Sequence, residues 1–113
     1  MLKTVGSILL IFVALFSFFL SSPAHAYDLA QGNNVFTANC AQCHMRGLNV
    51  VVRDKTLQKE ALEKYGMYSQ EAIVSQAMKG KNAMPAFGRR LSQEQLENVA
   101  AYILDQADSG WAG

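Results

Sequence analysis

Metal-binding and proton-moving side chains are scarce in this chain of 113 residues, which has only 2 cysteines and 2 histidines. Two cysteines exclude a multi-disulfide scaffold. One of the two histidines, His25, lies in the leader expected over residues 1–26, and His44 alone excludes a multi-histidine metal site and leaves little for a hydrolase built on histidine. A basic excess is missing too: 10 lysines and arginines stand against 9 acidic residues, which argues against a nucleic-acid binder. Strand-like alternation is almost absent, because the β-branched run Val50-Val51-Val52 has no alternating partner. Neither repeats nor low-complexity tracts nor an interdomain linker interrupt the chain, whose length allows one domain at most.

One long apolar run exists, from Val5 to Leu20. Its 16 residues fall short of the roughly 20 needed to span a bilayer. Lys3 is the only charge ahead of Asp28, and Ser21-Ser22-Pro23-Ala24-His25-Ala26 follows the run. A basic start, an apolar centre and an Ala-x-Ala end predict a secretory signal peptide over residues 1–26, cleaved after Ala26, rather than a retained anchor. The remaining domain, residues 27–113, then carries nine basic and nine acidic residues and is neutral overall. His25 leaves with the leader, so His44 is the only histidine of the domain. A chain this small gains from a cofactor that adds to its core.

The domain reads as short helices separated by glycine and proline, hence as all-α. Leu96, Val99, Ala100, Ile103, Leu104 and Ala107 share one helical face, with Ser92 and Gln95 spaced as a capping box. A first helix is predicted from an Asp28 cap towards Cys40, with Gly32 and Phe36 on one side. A further helix is expected over Thr56–Tyr65, with Leu57, Ala61 and Leu62 facing one way and Gly66 ending it. Another should run from a Ser69 cap through Met78 and stop at Gly80.

Cys40-Ala41-Gln42-Cys43-His44 is a C-x-x-C-H sequence, the attachment signature of a c-type haem. One helical turn brings both thiols and the imidazole to a shared face. Thiols add to the porphyrin vinyl groups as thioethers, and neutral imidazole is a good iron ligand. A disulfide gives no reason for His44 to follow Cys43 directly. A thioredoxin-like pair requires a βαβ context, and zinc requires a further ligand.

The opposite face of the iron decides between electron transfer and small-molecule chemistry. Without a second histidine, the candidates are Met45, Met67, Met78 and Met84. Met45 adjoins His44 and cannot easily reach the far face. Met78 fits the buried stripe of a helix, where methionine usually serves packing. Met67 follows a helix-ending glycine and has no further support. Met84 precedes Pro85, which biases its backbone away from helix, and sits in the loop Gly80–Gly88. Met84 is therefore the favoured ligand, with a purely packing role the alternative.

Taken together, these residues resemble the cytochrome c6 family, soluble photosynthetic class I c-type cytochromes that can replace plastocyanin. The resemblance spans the whole domain. It rests on Val35-Phe36-x-x-Asn39-Cys40-x-x-Cys43-His44, on Lys55-Thr56-Leu57, on Glu71-Ala72-Ile73-Val74, on Gly80-Lys81-Asn82-Ala83-Met84-Pro85-Ala86-Phe87, and on Val99-Ala100-Ala101-Tyr102. It implies about four short helices around one haem c, with Gly32 and Phe36 of the first helix meeting Tyr102 of the last. It also implies that Gln76 faces the haem and tunes it. It further implies an electron carrier rather than an enzyme, reduced by cytochrome f of the cytochrome b6f complex and oxidised by photosystem I. Docking to those membrane complexes would be transient, in the thylakoid lumen, or in the periplasm of a bacterium. A terminal oxidase is an alternative acceptor. A haem peroxidase and a gas sensor are rivals from other classes, each needing an open iron position.

Two departures stand out from the family pattern. Arginines occupy points where glycine pairs are common, in Met45-Arg46-Gly47 and Gly88-Arg89-Arg90. With Lys79 and Lys81 they are expected to form a basic patch by the haem, and Arg46, Val50 and the Met84 loop are the expected contact surface.

Overall fold

The computed structural model describes residues 26–112. The signal segment expected over residues 1–26 lies outside the described residues, apart from Ala26. Five helices follow in order: α1 Leu29–Asn39, α2 Ala41–His44, α3 Lys59–Lys64, α4 Gln70–Lys79 and α5 Gln93–Asp108. A 3-10 turn, Met45–Gly47, follows α2 directly. No strand occurs among the described residues, only an isolated antiparallel bridge between Lys81 and Met84. The all-α expectation therefore holds. No helix among them is long and apolar enough to cross a membrane.

Local chemistry sets the helix ends. The Asp28 carboxylate accepts from the Gln31 amide at 2.9 Å, and the Ser69 hydroxyl accepts from Ala72 at 3.1 Å. At α5 the capping box is complete: Gln95 N–H donates to the Ser92 hydroxyl at 3.1 Å, and Ser92 N–H donates to the Gln95 side chain at 2.9 Å.

The long α5 is the backbone of the core, burying Leu96, Val99, Ala100, Ile103 and Ala107. Its predicted inward face is thus correct, with Leu104 half-buried at the margin. Helix α1 crosses α5 at Gly32, where a Cβ would stand 2.2 Å from the Asn98 carbonyl oxygen. Only glycine permits this approach. One turn on, Phe36 meets Tyr102 with ring centroids 5.4 Å apart. This confirms the expected crossing.

Two expectations need correction. The helix predicted over Thr56–Tyr65 forms only over Lys59–Lys64. The Thr56 hydroxyl accepts from Gln58 N–H at 3.3 Å, and Leu57 N–H donates to the Gly47 carbonyl at 2.8 Å. Those bonds commit Thr56 and Leu57 to the preceding loop and delay the helix. Met78 is not buried: it is 36% exposed, because the inward stripe of α4 is Ile73, Val74 and Ala77.

Candidate haem site

The C-x-x-C-H segment forms the junction of α1 and α2. Cys40 ends α1 with its N–H on the Phe36 carbonyl, and its own carbonyl accepts from Cys43 at 3.2 Å and His44 at 2.9 Å. This single turn holds both thiols and the imidazole at one edge of a cavity of about 380 Å³. Both thiols are free. Burial pushes the Cys40 thiol up to about 11.

The imidazole is oriented by backbone. His44 Nδ1 lies 2.9 Å from the Leu48 carbonyl oxygen. A carbonyl can only accept, so Nδ1 carries the proton and Nε2 keeps its lone pair. Burial holds the His44 pKa below the ordinary histidine range, and the Leu48 hydrogen bond partly offsets this. The ring is therefore neutral near pH 7.

The methionine loop is pinned from below. Phe87 N–H donates to the Ala77 carbonyl at 2.8 Å and Gly88 N–H to that of Met78 at 3.1 Å, which ties the loop to the end of α4. Lys81 and Met84 exchange backbone hydrogen bonds of 3.0 and 2.9 Å across the bridge. Gly80 makes the turn possible: its φ is +72°, and a Cβ there would lie 2.7 Å from the Met84 carbonyl oxygen. Met84 is half-buried against the core. From α4, Gln76 Nε2 donates to Met84 Sδ at 3.5 Å.

Cys40, Cys43, His44, Gln76 and Met84 all line the same cavity. Of the other candidate methionines, Met67 also lines it, whereas Met45 is 59% exposed. Ile73, Val99 and Ile103 supply an apolar wall. Two thiols, a neutral imidazole and a thioether around an apolar cavity suit covalent haem c. A bare metal ion fits poorly, since no group of three or more His, Cys, Asp or Glu among the described residues is arranged to hold one.

The expected basic residues divide. Lys81 and Arg90 line the cavity, joined by Lys55, and the Arg90 guanidinium lies 5.5 Å from the Phe87 ring centroid. Arg46 and Arg89 are exposed, as is Lys79, which does not line the cavity. Arg46 has φ +60°, left-handed backbone that costs a side-chain-bearing residue energy.

Sequence reasoning missed three supporting groups. Asn98 is 3% exposed and joins the helices, accepting from Asp28 N–H at 3.0 Å and donating to Gln31. Trp111 packs on Phe36 with centroids 5.3 Å apart. Tyr65, at the cavity lip, donates its hydroxyl proton to Asp54. Periodicity hides Asn98, which falls within the apolar stripe of α5. Trp111 lies beyond the helix, where periodicity is silent, although its being the sole tryptophan was a usable signal.

Residues 28–103 match the family described as cytochrome C oxidase, cbb3-type, subunit III. The chain is 57% identical to cytochrome c6 of Synechococcus sp. over 99% of this chain and 100% of that one. It is 58% identical to cytochrome c6 of Thermostichus vulcanus over the whole of both chains. The solved structure of cytochrome c6 from the diatom Phaeodactylum tricornutum superposes with a TM-score of 0.73 at 53% identity, covering 74% of this chain and 99% of that one. Oxidised cytochrome c6A of Arabidopsis thaliana gives 0.71 at 28% identity, covering 79% and 99%. Likeness along the entire sequence and across the helical fold makes the chain a c-type cytochrome with one covalently bound haem c, an electron carrier, and it belongs to the cytochrome c6 family.

Proposed function

We propose that the chain shuttles electrons from cytochrome f of the cytochrome b6f complex to photosystem I in the thylakoid lumen, after export and cleavage following Ala26. Cys40 and Cys43 would provide the thioether links to haem c, and His44 and Met84 would hold its iron. The observation that carries this reading is the convergence of the two thiols, the His44 ring and the Met84 sulfur on one cavity. When bound, haem c supplies one reversible electron through the ferric and ferrous states of its iron.

Each residue has a distinct task. The Leu48 carbonyl fixes the ring of His44 and strengthens Nε2 as a donor. The Met84 thioether favours the ferrous state and so raises the potential. Gln76 aims an amide N–H at that sulfur and tunes it. Both donors sit on braced backbone, His44 on a helical turn and Met84 in a loop hung from α4, which would hold them in place on either side of the redox change. With His44 and Met84 both holding the iron, no position would be left for a substrate, which favours a carrier over a peroxidase or gas sensor.

Contact with partners is through the cavity edge. Met45, Leu48, Val50, Val51 and Val52 are all exposed, and Val51 and Val52 line the cavity. Arg46 and Arg53 stand exposed beside them, and Lys81 and Arg90 lie on the methionine side. Exposed apolar side chains with arginines and lysines beside them support brief docking to an acidic surface.

Flash photolysis tests the reading. The ferrous protein should re-reduce photo-oxidised photosystem I in a bimolecular reaction that slows as salt is added. Efficient reduction of a terminal oxidase with no reaction at photosystem I would overturn the acceptor assignment.

A further inference from the structure

Trp111 is the single tryptophan of the chain and does not line the cavity, yet its placement is tightly specified. It lies beyond the end of α5 at φ +61°, preceded by Gly110 at φ +68°. A bulky side chain on left-handed backbone persists only where its surroundings hold it there. Its N–H donates to the Gln106 carbonyl at 2.7 Å, and its ring meets Tyr102 edge-on at 6.2 Å.

The indole reaches the segment that follows His44. A Cβ on Gly47 would stand 2.4 Å from Trp111 Nε1, so the ring lies directly on a residue that has only hydrogen to offer. Trp111 Nε1–H donates to the Leu57 carbonyl at 3.0 Å, and Leu57 N–H donates to the Gly47 carbonyl at 2.8 Å. The next residue, Leu48, supplies the carbonyl that accepts from His44 Nδ1. Between the 3-10 turn and α3 the chain has no helix, and Leu48, Val50, Val51 and Val52 are exposed. Leu48 N–H donates to the Met45 carbonyl at 3.2 Å and Val50 N–H to that of Cys43 at 3.0 Å, so the loop is held on its His44 side by backbone, while Trp111 contributes to both ends of the Gly47–Leu57 pair on its other side.

We propose that Trp111 is a positioning residue for His44: the folded-back C-terminal tail clamps Gly47 and Leu57 and thereby fixes the carbonyl that orients the imidazole. This rests on His44 being an axial ligand. Loss of the clamp weakens donation from Nδ1 to Leu48, lowers the donor strength of Nε2 and stabilises the ferric state less.

The test compares two variants with the parent holoprotein, all ferrous, by NMR hydrogen exchange. Trp111→Phe keeps an aromatic ring near Phe36 and Tyr102 but loses the N–H to Leu57. Asn98→Ala removes a helix-to-helix link remote from the loop and serves as a stability control. In Trp111→Phe, exchange at His44 Nδ1–H should accelerate about tenfold relative to the Val99 and Ile103 amides, the worth of about one hydrogen bond. The midpoint potential should rise alongside. In Asn98→Ala, ring and core exchange should change together and the potential should hold. The clamp is refuted if Trp111→Phe moves ring and core exchange equally or leaves the potential unchanged. If His44 ring resonances in the parent show no shift from the haem, the ligand assignment itself fails and the clamp fails with it.

Discussion

A single amide carries the proposed redox tuning. Gln76 touches Met84 Sδ at 3.5 Å, and the positive end of its N–H dipole favours the state with the extra electron. Gln76→Val should therefore lower the midpoint potential. One hydrogen bond is worth about 1 kcal/mol, or roughly 40–60 mV for one electron, and a spectroelectrochemical titration reads it. Arg46 offers the opposite kind of residue. Its φ of +60° strains a side-chain-bearing residue, and its side chain is exposed. Arg46→Gly should raise stability by about 1 kcal/mol in denaturant titration, since relief of the strain outweighs glycine's extra unfolded-state freedom. Both effects arise from residues whose identity was legible in the sequence while their local geometry was not. Glutamine at position 76 predicts a half-inward polar group, but its contact with sulfur depends on where the Met84 loop folds back.

Among the elements, the crossing of α1 and α5 tolerates least. Gly32→Ala drives a methyl to 2.2 Å from a backbone oxygen, which neither helix can yield without separating. A loss of about 2–4 kcal/mol is expected in thermal or chemical unfolding. The loops before and after α3 are joined by side chains instead. Tyr65 donates to Asp54, and Tyr68 donates to Asp108 at the end of α5. The hydrogen bond to Asp54 raises the Tyr65 pKa, and the one to Asp108 raises that of Tyr68. The same Tyr65 bond lowers the Asp54 pKa. For the tyrosines the folded value lies above the unfolded one of about 10, so their contribution is complete below that pH and fades as pH climbs through the folded value. For Asp54 the folded value lies below the unfolded one of about 3.9, so its contribution is complete above that and fades in acid. Tyr65→Phe should flatten both limbs of the plot of unfolding temperature against pH, while Tyr68→Phe should flatten the alkaline limb.

Helix caps and the apolar stripe of α5 were readable because each depends on residues three or four apart. Leu57 was misassigned because its amide bonds Gly47, ten residues away and invisible to a local pattern. Met78 failed for a simpler reason: an apolar residue one step past a buried Ala77 turns outward. Asn98 shows the converse, a polar residue inside a stripe, accepted because Asp28 and Gln31 satisfy it.

For the molecule as a whole, charge is arranged rather than abundant. Lys55, Lys81 and Arg90 line the cavity, while Asp105 and Asp108 belong to the far end of α5. Asp54, held by Tyr65 at the cavity lip, is an acidic exception, and with nine charges of each sign over residues 27–113 the domain has no net charge. Arg89→Glu with Arg90→Glu should slow association with an acidic redox partner several-fold at low salt, and the difference should shrink above about 0.15 M ionic strength, where surface charges are screened. Stopped-flow or flash kinetics across a salt series would record it.

On the proposed ligation, the second protein ligand to the iron is the decisive feature, because with it the protein would be a carrier and without it an enzyme or a sensor. Both Met84 and Met67 line the cavity, so their variants separate the possibilities. The weak absorption from sulfur to ferric iron should be present in the parent and in Met67→Leu, and absent in Met84→Ala. If it survives in Met84→Ala, or is missing from the parent, the proposed ligation is wrong.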